Sequence, residues 1–358
     1  MLSFLVSFFS LSLIVLLHEM GHFFLARRFG IKVEEFGFGF PPRIFSFEKK
    51  GVVYSCNAIP FGGFVKILEH NGANSFSAQS LGKRTLILLA GVTNNLLIAF
   101  LLFTVLFSLG MPCLALPENY EQNISSAVII KEIEKESPAF AAGLKPEDII
   151  LGINYLDNYH PVNSIEDVQN KVAGLKGKEI QLIIQRQGES MEITITPRES
   201  LPEGKGYLGV ILSEDGVVKY SLFKAPGQSI RFMGFLTREM FIGLKRVFIN
   251  LFIRGDIKEL TGPIGTVAIT TRGFQWGWNY GLYILGLISY AFAIFNLLPI
   301  PAVDGGRILF LIIEKVRQRP ITQRTEALVN NISFSLLIIL LFFVTIKDIN
   351  FFILNPVR

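Results

Sequence analysis

Residues 14–25 read Ile14-Val15-Leu16-Leu17-His18-Glu19-Met20-Gly21-His22-Phe23-Phe24-Leu25, and this stretch decides how the chain is built. It closes an apolar block that begins near Leu2. A helix needs about 20 apolar residues to cross a bilayer, and Leu2–Phe24 is long enough. His18 and His22 stand four apart, so on a helix they project from one face and can share a metal ion. Glu19 is positioned to take a proton from water activated by such a metal and pass it to a leaving amine. Ionisable groups inside an apolar span are costly, so three together mark a functional site.

Three further blocks of the same character follow: Leu86–Leu109, Tyr280–Leu298 and Ile332–Ile346. The last is short, and Phe351–Leu354 would extend it past Lys347 and Asp348. Composition agrees with about four spans, since 50% of the 358 residues are hydrophobic and only 18% are charged. A soluble domain carries about 25% charged residues. An ordinary globular protein, a disordered chain and a disulfide scaffold are therefore excluded, the last two because there are 33 Phe and only 2 Cys.

The positive charge reads as topology. No basic residue precedes the first block, whereas Arg27, Arg28 and Lys32 follow it. The block is thus expected to be a retained span, not a cleaved signal peptide, with the N-terminus outside. Residues 26–85 and 305–331 concentrate Lys and Arg and are expected in the cytoplasm, while 111–277 and both chain ends lie outside. The net charge of +5 therefore belongs to cytoplasmic loops, and no long basic run points to a nucleic-acid partner. On this topology Cys56 and Cys113 face opposite sides and cannot pair.

From about Ser125 the pattern changes to that of a small soluble domain. Val128–Ile133, Ile180–Arg186 and Met191–Thr196 alternate like strands. A short helix after Ser137 is ended by Gly143, and a second fits Ser164–Leu175 with Ser164 as its N-cap. Beyond it, 226–260 carries Arg231, Arg238 and Lys245 on one stripe against Met233, Phe241, Leu244 and Phe248. That amphipathic pattern fits a helix lying in the membrane interface, or a helix packed into a globular core.

A catalytic zinc site needs three protein ligands and an open position for water. His70 and His160 sit in polar loops and read as surface residues. Asp304 is the better third ligand, in Asn296-Leu297-Leu298-Pro299-Ile300-Pro301-Ala302-Val303-Asp304-Gly305-Gly306. The prolines break a helix at membrane depth, where irregular backbone is tolerated only around a cavity. The lesser alternative, Asp304 as the N-cap of a helix over Gly305–Val316, is compatible with that role.

Taken together, His18–His22 in a first span, Asn296–Gly306 ending a third and the insert between them resemble the site-2 protease family of intramembrane zinc metalloproteases. The likeness is to the bacterial branch with one PDZ domain. Ser137-Pro138-Ala139 with Ala142-Gly143-Leu144, and Gly206-Tyr207-Leu208-Gly209-Val210, carry the resemblance of the insert to a circularly permuted PDZ domain. Gly37-Phe38-Gly39-Phe40 and Pro60-Phe61-Gly62-Gly63-Phe64-Val65-Lys66 are similar to the family's membrane-dipping β-hairpin. Val303 stands where Leu is common, and Gly91-Val92-Thr93-Asn94-Asn95 lacks the usual Pro after Gly, so either Asn94 or Asn95 is the matching residue.

The resemblance implies a polytopic α-helical membrane protein with an inserted α/β domain. It implies Zn²⁺ on His18, His22 and Asp304, with Glu19 as general base and then acid. Asn296, Gly62, Gly63, Phe64 and Asn94 are implied substrate contacts. The expected parts are a first half of the protease core over 1–110 with the hairpin at 34–67, a PDZ-like domain over 120–212, the amphipathic interfacial helix 226–260, and a second half over 279–358. Implied partners are the lipid bilayer and single-pass membrane proteins, such as anti-sigma-factor-like proteins or signal-peptide remnants, in a bacterial inner membrane. The PDZ-like domain would regulate substrate access by binding a chain end or by bulk. A membrane adaptor or a metal transporter with an inactive site is the competing class. A transporter is expected to show inverted repeats, and none is apparent.

Overall fold

The computed structural model describes residues 2–354, without 71, 113–115, 117–123, 147, 157, 163, 187–188, 201–205 and 257–259. Cys113 and the first residues expected in the insert, 120–123, lie outside the described residues. In chain order the elements begin with α1 (Leu2–Arg28), β1 (Val33–Lys49), β2 (Val52–Ile67) and α2 (Leu81–Leu109). There follow β3 (Met111–Pro112), β4 (Ile124–Ile133), α3 (Pro138–Ala141), β5 (Ile149–Tyr155), β6 (Asn158–Pro161) and α4 (Ile165–Gly174). Strands β7 (Ile180–Arg186), β8 (Glu189–Ile195) and β9 (Val210–Val218) precede α5 (Ala225–Ile249) and α6 (Pro263–Trp276). The chain ends with α7 (Trp278–Leu297), α8 (Asp304–Arg317) and α9 (Gln323–Asp348). Two units emerge: Met1–Leu106 with Leu222–Arg358, and Phe107–Ser221.

In the first unit, α1, α2, α7 and α9 are the helices long and apolar enough to cross a membrane. All four expected spans are present, each helix running a few residues beyond its apolar block on at least one side. Beyond Lys347 and Asp348 the last continues as a π-helical segment over Ile349–Leu354. Asp348 is fully buried, and its Oδ2 accepts from the backbone N–H groups of Gly262 (2.9 Å) and Gly265 (2.8 Å). The carboxylate thus caps the start of α6 from another helix, satisfying donors that a helix N-terminus leaves open. Helix α6 itself is absent from the sequence reading, because its 14 residues are too few to register as a span.

The hairpin over 34–67 is present as two long antiparallel strands, β1 and β2, with Lys49 opposite Val52. Lys50 and Gly51 both have positive φ (52° and 72°), the two-residue turn whose twist matches that of the strands. Phe40, Ile44, Phe45, Phe47 and Ile59 leave apolar surface exposed on it.

The expectation for 226–260 needs correction. Helix α5 ends at Ile249 with a π-helical turn over Asn250–Arg254, and its first half is buried at Ala225, Ser229, Phe232 and Leu236. Ser229 Oγ accepts from Thr104 Oγ1 of α2 at 3.0 Å, and the Tyr290 hydroxyl of α7 donates to the Met233 carbonyl at 2.9 Å. That half packs in the bundle, where a purely interfacial helix would have no such partners. The sequence pattern could not separate the two, because both bury one apolar stripe. The second half leaves Phe241 and Phe248 exposed, and the π-helical turn leaves Ile253 exposed.

The second unit is a sheet in the order β3-β9-β4-β5-β7-β8, with β6 on β5. Both expected helices form as read: Ser137 Oγ accepts from Phe140 N–H and Ser164 Oγ from Asp167 N–H. Val128, Ile130, Ile150, Ile153, Val168, Val172, Ile180 and Leu182 make its core. Asp148 is buried beneath the turn at Lys145, and both its oxygens are taken by Arg186 at 2.7 Å. The carboxylate holds the guanidinium above its ordinary pKa by this bidentate bond. A cavity of about 660 Å³ opens between α4 and the start of β9, lined by Ile165, Val168, Val172, Leu208, Val210 and Leu212.

Candidate active site

Three chain segments far apart in sequence meet around His18. Helix α1 carries His18 and His22 one turn apart, both buried. Asp304 arrives at the first position of α8, after a reversal that its neighbours impose. Helix α7 stops at Leu297, before Pro299 and Pro301, and Ala302 adopts a positive φ of 79° with its N–H donated to Asn330 Oδ1 at 3.2 Å. A Cβ on Gly305 would stand 2.1 Å from the Leu298 carbonyl oxygen, so only glycine lets the helix start so close to the returning chain. Two ion pairs brace α8 behind it, Arg307 to Glu69 (2.6 Å) and Arg84 to Glu314 (3.0 Å). The N-cap of α8 is Val303 and not Asp304, which corrects the capping alternative. The carboxylate turns away from the helix, toward the histidines.

Asp304 Oδ2 lies 3.1 Å from His18 Nε2 and 3.2 Å from His22 Nε2, and the two Nε2 atoms are 3.2 Å apart. Donors about 2.0–2.1 Å from a tetrahedral metal stand roughly 3.3–3.4 Å from one another. The triangle matches that edge length closely. His22 Nδ1 sits 2.8 Å from the Ile87 carbonyl, which only an N–H can satisfy, so its Nε2 presents a lone pair. The buried Asn95 Nδ2 lies 3.5 Å from His18 Nδ1, and among the described residues its Oδ1 has no hydrogen-bond partner. An amide turned oxygen-first toward the ring would accept from Nδ1–H and leave His18 Nε2 free as well. Three ligand atoms this close, on two buried histidines and a largely buried aspartate, form a donor set that suits a divalent cation.

Glu19 is half-buried on the same helix, and its Oε2 accepts from the Val65 backbone N–H of β2 at 3.0 Å. The remaining expected residues divide. Asn296 is buried near the site, and its amide donates to the Phe292 carbonyl in its own helix at 3.0 Å. Asn94 donates to the Leu17 carbonyl of α1 at 2.7 Å, so it joins two helices, and Asn95 is the one that faces a histidine. Gly62 and Gly63 let β2 lie against α1: a Cβ on Gly63 would meet Leu16 at 2.9 Å, and one on Gly62 would meet Val15 at 3.2 Å. Phe64 covers Gly37 of the paired strand. His70 lines a polar cavity with Glu69, Arg307 and Glu326, and His160 is exposed on β6. Neither joins the cluster.

The sequence reading missed several neighbours. The Phe292 ring packs edge-on to His18 at 5.1 Å between centroids. Gly91 of α2 passes so close to both rings that a Cβ there would be 2.4 Å from His22 Nε2 and 2.8 Å from His18 Nε2. The only local signal was glycine in Gly91-Val92-Thr93-Asn94-Asn95, a run already singled out for its asparagines.

Sequence comparison carries the same assignment. Residues 6–340 match the profile of peptidase family M50. A putative zinc metalloprotease of Clostridium perfringens is 30% identical over 348 residues, covering 96% of this chain and 97% of that one. A putative zinc metalloprotease of Clostridium acetobutylicum is 29% identical, with 96% of each chain covered. The zinc metalloprotease RasP of Geobacillus kaustophilus is 27% identical, with 99% of this chain and 98% of its own covered. The chain belongs to peptidase family M50, the site-2 proteases.

Proposed function

We propose that the chain is a zinc-dependent intramembrane protease that hydrolyses peptide bonds within transmembrane segments of signalling or other membrane proteins. The observation that carries this reading is the tetrahedral-edge triangle made by His18 and His22 of an apolar helix with Asp304 at the start of α8, with Glu19 beside it. Zn²⁺ bound by those three residues would supply Lewis acidity, polarising the scissile carbonyl and lowering the pKa of water to about 7. Glu19 takes the proton of the attacking water and returns it to the leaving amine. Ile87 holds His22 in the tautomer that leaves its Nε2 unprotonated, and the Asn95 amide, oxygen-first, would do the same for His18. Asn296, one turn beyond Phe292 on α7, is the side chain proposed to contact the substrate backbone or its oxyanion. Gly62, Gly63, Phe64 and Asn94 are proposed to shape the path of an extended substrate.

The distribution of Lys and Arg supports cytoplasmic placement of 26–85 and 305–331, with the insert and both chain ends outside the cell membrane. The groove between α4 and β9 supports an access-regulating role for the insert as a PDZ-like domain, able to take a chain end as an added strand.

The test is cleavage of single-span model substrates by the purified chain in lipid nanodiscs, with products mapped by mass spectrometry. The expected cut lies within the span and stops when a zinc chelator is added. Cleavage confined to the soluble flanks, or cleavage indifferent to chelation, would overturn the proposal.

A further inference from the structure

We infer that the backbone N–H of Val65 is the group that positions Glu19 for proton transfer, making strand β2 a working part of the reaction centre. The inference rests on the role proposed above for Glu19. Strand β2 runs along one face of α1 and touches it at three successive levels. Ser12 Oγ donates to the Pro60 carbonyl at 3.2 Å, Gly63 lies against Leu16, and Val65 N–H reaches Glu19 Oε2 at 3.0 Å. Residues 12, 16 and 19 fall on one helical face, so the strand follows the helix up to the reacting carboxylate.

The bond is not a by-product of sheet pairing. Backbone N–H groups alternate in direction along a strand, and Leu68 N–H donates to the Lys32 carbonyl on the β1 side. The same alternation directs Phe64 and Lys66 toward β1 and Val65 toward α1. Glycines at 62 and 63 bring the strand this near, and Gly62 holds a positive φ of 72° where the chain bends onto the helix.

A free glutamate side chain samples many rotamers. A charge-assisted bond to one oxygen holds the carboxylate in place and leaves Oε1 as the oxygen free to exchange the proton. Among the described residues, Val65 N–H is the only hydrogen-bond donor to Glu19. The strand that the resemblance assigns to substrate handling therefore also sets the geometry of the base. Displacing the hairpin would misplace Glu19 without touching the metal ligands.

The first test needs no metal. In the zinc-free full chain, amide hydrogen exchange at Val65 should speed by about ten-fold in Glu19→Ala and stay slow in Glu19→Gln, which keeps an acceptor. Phe64 and Lys66 amides should be unaffected. The second replaces valine 65 by its α-hydroxy analogue, turning the amide into an ester without the N–H. Turnover should fall by about ten-fold in kcat, with KM and zinc content unchanged. Val65 exchange indifferent to Glu19→Ala, or kcat unmoved in the ester, would overturn the inference. So would loss of zinc together with activity, since the amide would then support the fold alone. Full turnover by Glu19→Gln would instead remove the proposed role of Glu19, and it leaves the exchange result standing.

Discussion

Glu19→Gln is expected to lower kcat by about 10²–10⁴-fold while zinc stays bound at about one ion per chain. The substitution keeps the size of the side chain and an oxygen that can accept from Val65 N–H. It removes the ability to take a proton, and nothing nearby replaces it. In the proposed centre His18 and His22 would have their Nε2 atoms committed to the metal, and their Nδ1 atoms are turned outward, toward Asn95 and Ile87. Asp304 Oδ2, 3.1 and 3.2 Å from those two nitrogens, would be committed to the same centre. Glu19 is thus the one group of the cluster outside the donor triangle, so losing it should leave the triangle intact. Zinc analysis beside a cleavage assay separates the two effects, and undiminished turnover would dismiss the proposed mechanism.

Gly91→Ala should be as damaging by the opposite route, abolishing metal binding as well as activity. The added methyl carbon would sit 2.4 Å from His22 Nε2 and 2.7 Å from His18 Cε1, inside contact distance of both ligands. Neither ring can swing clear without losing its Nδ1 partner. The helices cannot separate cheaply either, since Gly21 of α1 is pressed against Ala90 of α2, where a Cβ on Gly21 would come within 2.5 Å of the Ala90 carbonyl oxygen. Overpacking of this kind costs about 1–3 kcal/mol in an ordinary core, and here the atoms displaced are the ligands. Gly82→Ala, at an open position of the same helix, is the control and should leave zinc content unaltered. Retention of stoichiometric zinc by Gly91→Ala would show that the centre lies elsewhere.

These two residues illustrate what could be read from the chain alone. His18, Glu19 and His22 were legible because a helix converts spacing directly into proximity, and because lipid makes each of them costly. Asp304 was legible because Pro299, Pro301 and the Gly305-Gly306 pair announce a broken helix at membrane depth. The spans were legible for the simplest reason, their unbroken apolar length. Gly91 and Val65 were not, because each meets the site across 46 residues or more of intervening chain. Gly91 contributes by lacking a side chain and Val65 through its backbone, and neither property leaves a residue-type signature. The Asn94–Asn95 ambiguity has a similar origin. Neighbours on a helix differ by about 100° in direction, and only the docking of α2 on α1 decides which one faces a histidine. Helix α5 was misread in part because an apolar stripe looks the same whether lipid or α7 covers it.

The metal centre itself is the claim on which the rest depends. X-ray absorption at the zinc edge of the purified, reconstituted chain reads its ligands directly. The account predicts about one zinc per chain with two imidazole nitrogens and a carboxylate oxygen near 2.0–2.1 Å, the oxygen contribution weakened in Asp304→Asn. Zinc at trace level only, or a first shell of other ligands unaltered by Asp304→Asn, would contradict it.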